Sequence, residues 1–223
     1  MSMKKVKIFA VAIIALVAST SVKAQEFKAS ADIVSSYVWR GAFQSGAAVQ
    51  PTFDFTAGGF SVGAWGSSAI AGLVGGDGFG VFTNLMQEAD LYAKYTFGFG
   101  LSAGLTDYYY TGNDFLDYNK GGGHSIELNL GYTTGNLSLS GNYLLNVNND
   151  LYFEAGYAFD KVSVFAGIGN EVYSTDGKLS LVNIGASTTK EIKITDSFTL
   201  PLKASAILNP KSKQFFLVAG ITL

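Results

Sequence analysis

Ten ionisable side chains share the polar phase of an alternating pattern that runs through the chain: Asp32, Asp54, Glu88, Asp90, Glu127 and Glu154, with Lys28, Arg40, Lys94 and Lys203. Six acids and four bases on one surface suit either of two roles. Lining a watery passage, their balance of −2 favours cations mildly. Facing one another across a narrow interior, they pair and fill it, which is how buried charge becomes tolerable. Arg40 stands out because a guanidinium grips a carboxylate bidentately. Placed at the outer end of the first alternating run and facing in, it is expected to meet Asp32 and acids on neighbouring strands. There it either ties the mouth together or selects the permeant.

Other chemistry is sparse. His124, the sole histidine, follows Gly121-Gly122-Gly123 and precedes Ser125. Catalysis would need a nucleophile or an acid beside it, and its sequence spacing supplies neither. It reads as a solvent-exposed loop residue. The stretch Gly75 to Gly80 has the glycines of a phosphate loop without the following Lys or the strand–helix context, so it reads as a loop. Asp114, Asp117 and Asp176 are isolated acids, unlike the spaced ligands of a calcium loop. No enzyme activity, metal or cofactor is expected.

The elements that must carry these residues are strands. Phe27, Ala29, Ala31, Ile33, Tyr37 and Trp39 share one face of the first run, interrupted only by Ser35, with Lys28, Asp32 and Arg40 opposite. The same alternation recurs near residues 49–56, 60–68, 88–97, 101–110, 125–133, 137–145, 151–159, 162–169, 181–189, 198–207 and 214–223. That gives twelve candidate strands, with ten as the alternative, since the third and tenth runs are the least regular. Tight turn signals such as Gly58-Gly59 and Thr134-Gly135-Asn136 alternate with longer connections such as 69–85 and 111–124. Two connections fit badly: 146–150 is short for its side, and 190–197 is long for its side.

Together these features predict an all-β protein, a closed antiparallel transmembrane β-barrel with its apolar face toward lipid. Aromatic side chains cap the apolar faces as an interfacial girdle would, with Tyr37, Trp39, Tyr109 and Tyr143 at one rim. Phe55, Phe60, Phe97, Tyr132 and Phe159 mark the other rim. Gly63, Gly104, Gly131, Gly156, Gly167, Gly185 and Gly220 fall on the inner phase, where they make room for Tyr92, Tyr108 and Tyr152. Asp107 breaks phase, matching Leu105 and Tyr109; near a rim such a charge costs little.

The ends and the composition agree. Lys4, Lys5 and Lys7 precede an apolar stretch from Ile8 to Val17 and small residues up to Ala24, so residues 1–24 are expected to be a cleaved export signal. Residues 25–223 then form one barrel domain. Without Lys4, Lys5, Lys7 and Lys23 the 15 basic residues fall to 11 against 17 acidic ones, or −6, which argues against a nucleic-acid partner. With 27 Gly, 17 Phe, 12 Tyr and no Cys, the chain favours strands and turns and holds no disulfide.

The stretch Ser35 to Gly41, with Gln44, Gln50 to Phe55 and Phe60 to Ser67, resembles small outer-membrane proteins of the TorF-type porin family, also labelled Gcw_chp. Tyr37, Arg40, Gly41, Gly63, Trp65 and Ser67 carry the resemblance, and Glu88 to Tyr92 is similar to the family's acidic fourth strand. It is specific up to about Tyr95. The resemblance implies a Gram-negative outer-membrane barrel with channel activity, and it brings no substrate, cofactor or catalytic residue. The expectation is a narrow, mildly acidic channel for small hydrophilic solutes, in contact with outer-membrane lipid and inserted by the barrel-assembly machinery. The rival is a structural or loop-binding barrel with a closed lumen.

Overall fold

The computed structural model describes residues 25–70 and 88–223. The expected signal 1–24, the Gly75–Gly80 loop and nearly all of the 69–85 connection lie outside the described residues. The strands are β1 (Gln25–Val34), β2 (Tyr37–Trp39), β3 (Ala42–Ser45), β4 (Ala48–Ala57), β5 (Phe60–Ala69), β6 (Glu88–Thr96) and β7 (Leu101–Tyr110). They continue as β8 (His124–Thr134), β9 (Leu137–Leu144), β10 (Leu151–Ala158), β11 (Ser163–Glu171), β12 (Gly177–Lys193), β13 (Thr199–Asn209) and β14 (Gln214–Thr222). Twelve of these close into an antiparallel barrel in which β1 pairs with both β4 and β14; β2 and β3 form a separate hairpin.

The wall is apolar outside and polar inside. Phe27, Leu91 and Leu217 are 69%, 60% and 73% exposed, whereas Glu127 and Ser67 are 0% and 1% exposed. That is the reverse of a water-soluble barrel, which hides its aliphatic face within. Two of the inner glycines leave space for the tyrosine rings their phase implied. A Cβ on Gly63 would come 2.5 Å from the Tyr92 ring, and one on Gly167 would collide with the Tyr152 hydroxyl.

The barrel closes through a short seam. Asp32, Ile33 and Val34 of β1 register against Thr222, Ile221 and Gly220 of β14, and Ala31 and Leu223 exchange backbone hydrogen bonds beyond them. On the inner side Asp32 accepts from Thr222 Oγ1 at 2.6 Å and pairs with Lys203 Nζ at 3.0 Å. Asp32 is therefore engaged in closing the wall, and the expected Asp32–Arg40 pairing does not form.

Three local expectations change. The first strand stops at Val34 instead of continuing to Arg40. Ser35, the break in its apolar face, is where it stops: Ser35 N donates to Ala219 O at 2.8 Å and Ser35 Oγ accepts from Ala219 N at 2.9 Å. Tyr37 and Trp39 consequently leave the wall and belong to the hairpin, not to a lipid-facing rim. Finally, β12 spans Gly177–Lys193, longer at both ends than the alternating run. That extension removes the misfit at 190–197, since the turn left is 194–198. A bulge in the pairing of β11 with β12, between Gly167 and Ile168, skips Val182 and leaves it 0% exposed.

Candidate functional site: the lumen hairpin and the outer-wall cluster

The hairpin β2–β3 turns on Arg40 and Gly41, whose φ angles are 50° and 81°. Two consecutive positive φ values define the tight turn whose twist suits a two-stranded ribbon. Gly takes this region freely, and Arg takes it at a cost of about 1–2 kcal/mol. Gly41 is also obligatory for space, because a Cβ there would overlap the Val182 carbonyl oxygen. The bulge at Val182 thus shapes the wall against which the tip lies.

The hairpin's contacts reach right round the inner wall, which places it within the barrel. Tyr37 donates to Glu88 on β6 at 3.0 Å and packs on Trp65 of β5, ring centroids 5.4 Å apart. Trp39 packs on Tyr108 of β7 and on Tyr173 from the β11–β12 connection. Asn209 at the end of β13 donates to the Gly41 carbonyl at 3.1 Å, and Phe43 stacks with Phe216 of β14. At the tip Arg40 donates to both carboxylate oxygens of Glu127 on β8, at 2.6 and 2.9 Å. Its guanidinium lies 4.5 Å from the Trp39 ring centroid and 4.6 Å from that of Tyr152, within cation–π range.

Glu127 is saturated with donors. Besides Arg40 it accepts from Tyr108 at 2.8 Å, Asn129 at 2.7 Å and Tyr173 at 3.3 Å. The Arg40 side chain is 13% exposed and that of Glu127 0%, so the pair is held in a desolvated layer where hydrogen bonds to the charged forms are needed. Among the described residues this layer parts the interior. A cavity of about 280 Å³ bounded by Trp39, Tyr108 and Tyr173 lies on one side. Cavities of about 250 and 300 Å³ that share Glu154 and Phe165 lie on the other.

The remaining inner-phase charges are distributed, not gathered. Asp54 accepts from Tyr92 at 2.6 Å, and Lys203 serves the seam with Asp32. Glu154 accepts from Tyr152 and from Asn183, the latter at 2.9 Å. Lys28 sits opposite Asp54 in the β1–β4 register, and Lys94 opposite Ser61 and Gly104; neither forms an ion pair among the described residues. Asp90 is 6% exposed, and its Oδ1 has no hydrogen-bond partner among the described residues.

A second cluster, on the outer face, contradicts the reading of His124 as a solvent-exposed loop residue. His124 begins β8, is 2% exposed, and shares the outward phase of Ile126 and Leu128. Its Nδ1 lies 2.8 Å from Asp107 Oδ1 and its Nε2 lies 2.8 Å from the Phe115 carbonyl. Both ring nitrogens are thereby engaged. Tyr118 stacks on the ring at 4.0 Å, with Tyr109 on it at 4.8 Å. The 111–123 connection therefore folds down over the outer wall. Burial, followed by the neighbouring Asp107 carboxylate, pushes the Tyr118 phenol up. The off-phase Asp107 was the sequence signal for this cluster.

The loop acids have structural duties. Asp114 Oδ1 accepts from Leu116 N at 2.9 Å, and Asp117 Oδ1 from Asn119 N at 3.0 Å. Asp176 meets Lys211 at 2.7 Å, and hydrogen bonds from Lys211 and Ser174 lower its carboxyl to about 2. Among the described residues, no group of three or more His, Cys, Asp or Glu side chains is arranged to hold a metal ion.

The family model described as "Bacterial protein of unknown function (Gcw_chp)" matches residues 18–206. No curated protein matches the sequence.

Proposed function

The chain belongs to the Gcw_chp family of bacterial proteins of unknown function, and we propose that it is an outer-membrane barrel passing small hydrophilic solutes through a narrow lumen that its own hairpin closes at rest. The observation that carries this is the Arg40–Glu127 pair at the hairpin tip, inside a wall that is polar within and apolar without. An apolar exterior needs lipid around it, and a closed barrel leaves no strand edge unpaired in hydrocarbon. The mildly acidic inner phase favours cations or neutral polar solutes over anions. Export by the 1–24 signal and insertion by the barrel-assembly machinery are part of the same reading.

A second reading is a permanently closed barrel that works through its loops and outer wall. The fastening of Gly41 against Val182 and Asn209 favours it, because these contacts hold the tip independently of the ion pair. Proteoliposome swelling with sugars of increasing size separates the two. Wild-type vesicles are expected to swell slowly, and Arg40→Ala vesicles faster with the smallest sugars. Folded Arg40→Ala barrels as tight as wild type would leave the closed reading standing.

A further inference from the structure

The outer face of β4–β7, near the end that carries the 111–123 connection, holds a cavity of about 310 Å³. That is the lower end of the range for small-molecule sites. Outward-facing Phe53 and Leu91 flank the small side chains of Ala64 and Ala89, and Phe115 and Tyr118 close over it from the connection. One end is polar, with Asp107 and His124 in its lining.

The free bonding capacity at that end is on the Asp107 carboxylate. His124 already has both ring nitrogens engaged. The Asp107 side chain keeps 21% of its exposure, and His124 engages only its Oδ1. An ionised carboxylate only accepts hydrogen bonds, and it accepts best from a cation. The guest that fits has an apolar chain and a positively charged, hydrogen-bond-donating head.

We propose that this cavity binds a membrane lipid with an ammonium head group, of the ethanolamine kind. One acyl chain lies between Phe53, Leu91 and the Phe115–Tyr118 roof, and the ammonium meets Asp107. The proposal rests on the outer-membrane reading, which puts acyl chains against this wall and head groups at the height of the rim residue Tyr109. Charge on a lipid-facing wall is least costly near the interface. A second copy of the barrel docked here through apolar side chains would bring the Asp107 carboxylate no donor.

The test is lipid retention by the full chain. The protein, folded in detergent, is incorporated into vesicles of equal phosphatidylethanolamine and phosphatidylglycerol. It is then re-extracted and weighed intact with its bound lipid by native mass spectrometry. One ethanolamine lipid is expected to stay bound, preferred by about tenfold over the glycerol lipid. Ala89→Phe and, independently, Ala64→Leu fill the cavity and abolish retention, with folding verified by heat-dependent gel mobility. Asp107→Asn brings the preference close to unity. Equal retention of both lipids overturns the proposal. So does retention unaffected by either cavity-filling variant in a folded barrel, or a second copy cross-linked at this face in place of lipid. A protein that never enters vesicles refutes the membrane reading; one that inserts and holds no ethanolamine lipid refutes this proposal alone.

Discussion

Glu127 and Asp107 are nearly neighbours across the β7–β8 ladder, where Thr106 registers with Glu127 and Asp107 with Ile126. One step along the strand sends one carboxylate into the lumen and the other onto the outer wall. Both meet a basic side chain and tyrosines, yet their situations differ. Glu127 has four donor residues and no exposure, while Asp107 keeps 21% exposure in an apolar wall. A saturated buried carboxylate fixes a structure, because little but its present partners can satisfy it. A carboxylate with spare acceptor capacity beside a cavity can still receive a guest. The inner pair is a latch on the hairpin; the outer pair anchors a loop and leaves a site beside it.

The largest test of that contrast is Arg40→Ala. It strips the charged partner from a fully buried carboxylate, with an expected loss of about 3 kcal/mol in urea unfolding. The three other donors to Glu127 keep the figure from rising further. Gly41→Ala comes next. It places a Cβ against the Val182 carbonyl at a φ of 81°, for about 1–2 kcal/mol of backbone strain before any clash. It should lift the tip and raise conductance with Arg40 intact. If Gly41→Ala leaves conductance unchanged, the tip is not what closes the lumen.

His124→Ala is expected to cost about 1–2 kcal/mol through its two hydrogen bonds. Its effect should be local: faster amide exchange across 111–123 and wild-type conductance. A change in conductance would mean that the two clusters are coupled through the wall. The smallest effect belongs to pH. Hydrogen bonds from Lys211 and Ser174 lower the Asp176 carboxyl from 3.8 to about 2. A depressed folded value stabilises above the unfolded one, so the contact is complete above about pH 4 and lost as pH falls through about 2. Asp176 lies in the β11–β12 connection and Lys211 in the β13–β14 turn. Amide exchange of these two segments should rise together below pH 3, and Asp176→Asn should remove the transition.

The barrel was legible because alternation is a local property: each residue's phase follows from its neighbours, and strands with one apolar and one polar face repeat it. The twelve wall strands fall within a few residues of the alternating runs, apart from the first, cut back at Val34, and β12, lengthened at both ends. The hairpin was not legible, because Tyr37, Trp39 and Arg40 keep the period of the strand they follow. Only Ser35 marked the break, and Arg40-Gly41 hid a tight turn in which Arg occupies a position that small residues favour. Pairing was harder still. The partner of Arg40 lies 87 positions away on β8, a contact set by how the hairpin packs, not by sequence period. His124 was misread for a similar reason: the loop that buries it folds back over the wall, and only Asp107, out of phase, hinted that anything polar was needed there.

The central claim is that the Arg40–Glu127 pair holds the hairpin closed, and single-channel recording on a double-mutant cycle tests it most directly. Arg40→Ala and Glu127→Ala should each convert a nearly silent barrel into one with frequent openings. The double variant should open no more often than either single one, because both remove the same latch. Independent, additive effects on opening, or silence from all three variants in folded, inserted protein, would contradict it.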